Sequence, residues 1–263
     1  MALSEKPAMN KSHCKLCGNL SDLQKSHVIP RFVTKSIKKG GRFGAINSRQ
    51  IFQDGPKDYL LCRSCEQLFS PWESWFAKNI FHPVQDGQIT ETCISYRQEA
   101  MKFATSISWR ALIVKIQSGL ETLFDGKLSE SFKHEILSAE DTWRNYLLGN
   151  RSNISSYSQH MYLQPSFDVK NAVEHLEIPA YGYFGHAIES NIFINSKAIF
   201  IFTKMGKIII IGVIFFPTKR FLNSGKIKSN NGILYFKDFP TILIPYFENQ
   251  VTTFQTHLES TRN

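Results

Sequence analysis

Four of the chain's five cysteines fall in two C-x-x-C pairs, Cys14 with Cys17 and Cys62 with Cys65, and 44 residues separate the pairs. Zinc takes four soft ligands in a tetrahedron. Each C-x-x-C turn presents two thiolates on one side of a knuckle, so two knuckles close the coordination shell. In a reducing compartment this spacing points to metal rather than to disulfides. A structural zinc of this kind contributes an apparent ~10–16 kcal/mol to the folding of small peptides, enough to hold a module with few apolar residues together. Residues 13–66 are therefore expected to form a short-stranded, metal-stapled unit.

The rest of the chain has ordinary globular character. Its 263 residues, 42% hydrophobic and 20% charged, suit one large domain or two modest ones. The net charge of +9 favours polyanionic partners, and its placement matters more than its total. Residues 1–50 carry ten Lys and Arg against only Glu5 and Asp22, so nearly the whole excess lies at the front. The first residues hold no apolar core of signal-peptide length. The longest apolar run, 208–216, is too short to span a bilayer, and extending it back to Ala198 would bury Lys204 and Lys207 in lipid. Buried strands and a cytoplasmic location, with no membrane partner, are the expectation.

No internal repeat is present, so the chain divides by texture. After a polar tail over 1–12 come the cysteine pairs, separated by the apolar stretch 27–33 and a basic loop from Lys35 to Arg49. Ser70-Pro71-Trp72-Glu73 matches a capping box with proline at the first helical position, which predicts a helix starting near Ser70 and ending before Pro83. Residues 86–97 are polar with a short alternating stretch around Cys93 and form the expected boundary. Met101, Ala104, Ile107 and Ala111 recur at helical spacing. Ser129 can cap a second helix through Phe132, Ile136, Trp143 and Leu147 that stops at Gly149. Beyond Asn150 the pattern is β: 198–203 and 208–216 flank the turn Lys204-Met205-Gly206-Lys207, and Asn230-Asn231-Gly232 marks another turn before 233–236. The fold class expected is α+β, a metal module over 13–82 followed by an α+β domain over 98–263 with a mostly antiparallel sheet.

His27 stands in Ser26-His27-Val28-Ile29-Pro30, nine residues after Cys17. A histidine leading into an apolar strand is by itself a packed or hydrogen-bonded residue. Its surroundings give it another reading. Cys14-Lys15-Leu16-Cys17-Gly18, then Ser26-His27-Val28-Ile29-Pro30, a Gly-containing loop, and Leu60-Leu61-Cys62-Arg63-Ser64-Cys65-Glu66 together resemble the four-cysteine branch of the HNH endonucleases, of the ββα-metal or His-Me finger superfamily. The resemblance covers about residues 13–80. It implies a treble-clef or ββα-metal module, a structural Zn2+ on Cys14, Cys17, Cys62 and Cys65, and hydrolysis of DNA phosphodiester bonds with a catalytic divalent ion, Mg2+ or Mn2+.

By that resemblance His27 is the general base, a task suited to a side chain whose ordinary pKa is about 6.5. The residue before the histidine is often an aspartate ligand in the family; here it is Ser26, and a hydroxyl is the weaker ligand. Glu66 stands where the family often has a histidine ligand, and its carboxylate suits magnesium or manganese. The place of the family's middle asparagine is taken by Lys57-Asp58, with Asp58 or the more distant Asn47 as the stand-in. Lys35, Lys38, Lys39, Arg42 and Arg49 form the basic cluster expected to contact the phosphate backbone. HNH-like proteins are common in bacterial and phage DNA-processing and defence systems, which extends the expectation to an antiphage role. The alternative is a zinc module without catalysis that binds nucleic acid or a protein, with residues 98–263 as a possible protein-binding part. Glu73 is explained by its capping box, Cys93 is expected as a buried small residue, and His13 finds no vacancy beside four cysteines. Arg110, on its helix, can pair with a carboxylate and has no assigned role.

Overall fold

The computed structural model describes residues 11–38, 57–89, 91–119, 128–163, 185, 187–195, 197–216 and 225–236. They form an α+β arrangement of helices and antiparallel sheets. The first sheet has the order β1 (Lys11–His13), β2 (Leu20–His27), β3 (Lys57–Cys62). Its main ladder pairs Leu23 with Cys62, Ser26 with Asp58 and His27 with Lys57, with a bulge at Gln24/Lys25.

The stretch 27–33, read as a strand led by His27, folds otherwise. His27 ends β2, and after Val28, Ile29 and Pro30 the chain enters helix α1 (Arg31–Lys38). Val33 and Ile37, four residues apart, are buried together, the spacing of one helical face. Lys35 and Lys38 consequently sit on α1, not on a loop; Lys39, Arg42, Asn47 and Arg49 lie outside the described residues.

The capping box at Ser70 does not start a helix. Helix α2 (Arg63–Phe76) begins directly after Cys62, seven residues earlier than Ser70, and Pro71 lies inside it. An interior proline costs about 3 kcal/mol through its missing N–H and ring clash. Burial of Cys65, Phe69 and Phe76 on one face outweighs that local signal. Nor does the path end before Pro83: a π-helical turn, Ala77–Phe81, leads into the short α3 (His82–Gln85), whose first turn holds Pro83.

Helix α4 (Gln98–Gln117) is the centre of the molecule, buried on almost every side from Ala100 to Ile113. A helix apolar all round belongs in a core. Against α2 it sets Phe103 stacked on Phe76 at 3.8 Å and Trp109 edge-on to Phe69. Its hydroxyls are satisfied: Thr105 donates to the Met101 carbonyl, Ser106 to Phe103, and Ser108 to the Gln159 side chain. Helix α5 (Glu130–Leu148) follows the sequence expectation at both ends, with Ser129 Oγ accepting the Phe132 N–H at 3.3 Å and Gly149 closing the helix in the left-handed region.

The larger sheet has the order β5 (Gln159–Leu163), β8 (Ile208–Phe215), β7 (Ala198–Met205), β6 (Ile188–Asn195), all antiparallel. The β7–β8 hairpin turns at the expected place, with Gly206 at φ +58°. Gly212 on β8 lies so close to the helices that a Cβ there would stand 2.5 Å from Ser108 Oγ and 3.0 Å from the Trp143 ring. The segment read as a boundary carries β4 (Cys93–Tyr96), which pairs with β9 (Gly232–Tyr235), and Cys93 is half-buried rather than buried. One hydrophobic core runs from Cys14 and Leu16 through Phe69 and Phe103 to Ile210 and Leu234. Among the described residues no helix is long and apolar enough to cross a membrane.

Candidate metal centre

The first knuckle is a tight turn after β1. Cys14 N–H donates to the Asn19 carbonyl, Gly18 N–H to the Cys14 carbonyl, and Lys15 N–H reaches across to Leu60 of β3. Leu16, between the two cysteines, is fully buried and anchors the turn. The second knuckle is the junction of β3 and α2: Cys62 is the residue before the helix and Cys65 lies in its first turn. A helix N-terminus favours negative charge, so thiolates are stabilised there.

These two turns bring the ligand atoms of Cys14, Cys17, Cys62 and Cys65 within 4.8 Å of one another. Cys17 Sγ and Cys62 Sγ are 3.9 Å apart. Zn–S bonds of 2.3 Å in a tetrahedron put sulfurs about 3.8 Å apart, so this set of donors fits a zinc-sized ion. The backbone supplies further polarity: Cys62 N–H donates to Cys14 Sγ at 3.3 Å, and Ser64 Oγ lies 3.1 Å from Cys62 Sγ. His13 is not a fifth donor, since its Nδ1 hydrogen-bonds the Gly18 carbonyl at 2.8 Å.

Electrostatics within the cage divide the thiols. Burial raises Cys65 and Cys17, and neighbouring thiols push Cys65 further. Burial also acts upward on Cys62, but hydrogen bonds from the Ser64 hydroxyl and the Cys65 backbone win, lowering it to about 6. Cys62 thus ionises readily while Cys17 and Cys65 resist, chiefly because burial disfavours their charged forms and then because neighbouring thiols crowd like charge beside them. A bound dication removes that conflict. Four cysteines close together can thus hold a structural metal such as zinc.

The residues assigned to catalysis lie nearby but are not gathered into one cage. His27 is half-buried at the end of β2, opposite Lys57. Ser26, its neighbour, is buried and donates its hydroxyl to Glu66 Oε1 on the first turn of α2. Successive side chains on a strand point to opposite faces, so the bond that draws Glu66 to Ser26 does not by itself draw it to the imidazole. Asp58 sits opposite Ser26 on β3, and its Oδ1 accepts the Tyr59 N–H at 2.7 Å. Among the described residues the cysteines are the group of His, Cys, Asp and Glu side chains with metal-holding geometry. Lys35 is exposed on α1.

Arg110, which had no assigned role, turns out to be central. It is only 2% exposed on α4, yet Nη1 donates to the His27 carbonyl at 3.0 Å and Nη2 pairs with Glu73 Oε1 at 2.8 Å. Glu73 therefore serves this ion pair rather than a capping box. The guanidinium also lies 5.3 Å from the Phe69 ring centroid. One side chain thus joins the end of β2, helix α2 and helix α4. The signal was in the sequence: an arginine flanked by Trp109 and Ala111 on an apolar helix has to find buried partners.

Comparison with protein-family models, with curated proteins and with solved structures returns no match.

Proposed function

We propose that the chain is a zinc-stabilised, HNH-like endonuclease that hydrolyses DNA phosphodiester bonds. What supports this reading is the order of elements at the cysteine cage: two antiparallel strands run into a helix, with His27 ending the first strand and Glu66 in the helix's first turn. The observation that carries it is the Ser26–Glu66 hydrogen bond, which draws an acidic group of α2 to the residue beside His27. A carboxylate offers about four lone-pair sites, so one bond to Ser26 leaves Glu66 able to accept more.

In this mechanism His27 accepts the proton of the attacking water, whose oxygen bonds to phosphorus as the bond to the leaving 3′ oxygen breaks. Glu66 and Asp58 would hold a divalent ion, magnesium or manganese, which when bound stabilises charge on the phosphate and leaving oxygen. Cys14, Cys17, Cys62 and Cys65 keep the strand ends and α2 in register. Lys35 and Lys38 on α1, with Lys39, Arg42 and Arg49, engage the flanking backbone. The family resemblance extends the proposal to a role in defence against phage.

A second reading has its own observation. Among the described residues the metal-holding geometry belongs to the four cysteines and does not extend to His27, Asp58 and Glu66, which suits a zinc module that binds nucleic acid without cutting it. Purified protein incubated with supercoiled plasmid and magnesium, manganese, nickel or zinc in turn separates the two. The nuclease reading expects divalent-dependent nicking that His27→Ala abolishes at unchanged zinc content. Undiminished cleavage by the variant, free of contaminating nuclease, removes His27 from the mechanism. No cleavage under any ion, with salt-sensitive DNA binding, establishes the second reading.

A further inference from the structure

Between the outer face of α2 with its π-helical turn and the β4–β9 ladder lies an open groove of about 870 Å³, within the size range of ligand sites. None of the residues assigned above to metal or catalysis lines it. Trp75 and Lys78 stand on the helical wall, Ser95 and Arg97 at the end of β4, and Asn231 at the turn before β9. Lys78 and Arg97 are exposed cations on separate elements, and the described lining contains no carboxylate to neutralise them. Trp75 is half-buried, packed against the core on one side, so its indole is a fixed rather than a swinging surface. The wall opposite is rigid for a clear reason. The Tyr96 hydroxyl accepts the Lys228 N–H at 2.9 Å, and its ring lies so close over Gly232 that a Cβ there would come within 2.4 Å of the Tyr96 hydroxyl oxygen.

We infer that this groove binds single-stranded nucleic acid. An aromatic platform, two separated cations and neutral hydrogen-bonding groups without acidic side chains are what a strand asks of a protein: a π-face for a base, positive charge for successive phosphates, and amides and hydroxyls for base edges and sugars. The openness of the cleft and the spread of its cations over two elements fit a polymer that passes through rather than a mononucleotide held at a phosphate cradle. Arg97 also immediately precedes α4, the helix that carries Arg110. The inference deepens the nucleic-acid reading of the cysteine module but rests on other residues, and binding is measured without any divalent ion, so loss of cleavage and loss of groove binding are separable.

The test uses full-length, zinc-loaded protein and a fluorescein-labelled 12-nucleotide thymidine oligomer, titrated by anisotropy with EDTA omitted and no magnesium or manganese added. Trp75→Leu keeps the core side of the residue apolar and removes the stacking face; it should weaken binding about 5- to 100-fold, while Trp75→Phe retains most of the affinity. Lys78→Glu and Arg97→Glu, both on exposed side chains, should each weaken binding and make its salt dependence shallower by about 0.7 in log–log slope per lost phosphate contact. Circular dichroism and zinc content report that these variants fold. Oligomer binding unchanged in all of them overturns the inference. So does thymidine monophosphate competing as strongly as the oligomer, since the groove would then be a mononucleotide site.

Discussion

The cysteine-bearing hairpin and the four-stranded sheet are both antiparallel, yet they are held by different means. Along β2 only Ser26 is buried, and β3 becomes buried only in Leu60, Leu61 and Cys62 as it reaches the cage. In β7 all eight residues are buried, and in β8 all but Phe215. Fully burying one large apolar side chain contributes about 1.5–3 kcal/mol, so Ile199, Ile201, Ile208 and Ile210 together match a structural zinc in order of magnitude. What the sheet gains from hydrocarbon spread over two strands, a metal on the cysteines would supply to the hairpin at one point. A metal on the four cysteines would make the stability of the first region conditional on thiol chemistry, and that of the second not. Helix α4 meets both, and Arg110 makes a polar contact with the end of β2 in the cysteine-bearing part.

The largest expected effect comes from breaking the point attachment. Removing the metal with a strong chelator, or replacing Cys62 and Cys65 by serine, should abolish zinc content and expose β2, β3 and the first turn of α2 to rapid amide hydrogen exchange. Residues 198–215 should keep their protection. Equal loss of protection in both regions would show that the two are not held by different means and that the core responds as one unit.

Next in size is the joint. Arg110→Met leaves the Glu73 carboxylate without its cation and the His27 carbonyl without its donor, and should cost about 3–5 kcal/mol in denaturant unfolding. The double variant Arg110→Met/Glu73→Leu, which removes both charges, should recover much of that loss. A double variant no better than the single one would mean that Arg110 matters for packing on Phe69 rather than for its pair.

The smallest effect tests whether the apolar sheet owes anything to charge. Lys204 is fully buried on β7, opposite Glu189 on β6, and donates to the Gly206 carbonyl. Burial lowers its pKa from 10.5 to about 7, with the Glu189 charge acting the other way. Between those values the unfolded chain keeps a proton that the folded chain has lost, so stability should rise as pH increases from about 7 toward 10.5. Replacing the pair as Lys204→Met/Glu189→Leu should remove that slope and leave stability unchanged or higher by about 1–4 kcal/mol at neutral pH. Melting of the zinc-loaded protein across this range checks both statements, and a slope that persists in the double variant assigns it to another group.

Much of the architecture could be read from the residues. The hairpin around Gly206, helix α5 from Ser129 to Gly149 and the cysteine cage were all legible, because each rests on local spacing or on a donor type with one strong chemical preference. The misread elements share a cause. Ser70-Pro71 had every local mark of a helix start, but the buried face of α2 continues through it; residues 28–33 read as a strand because an apolar run looks alike in either conformation until its neighbours are known. Glu73 and Arg110 were invisible as a pair for the same reason, being 37 residues apart on different helices.

By itself, then, the sequence determined the four-cysteine cluster, the α+β class and the apolar strands, since these follow from ligand chemistry and from side-chain periods of two and three to four residues. Only the tertiary structure decided where α2 begins, which carboxylate Ser26 meets, that a guanidinium from α4 holds the His27 carbonyl, and that Trp75, Lys78 and Arg97 line one groove. Those outcomes depend on burial against distant segments, where desolvation makes each polar group find a partner that no local pattern can name.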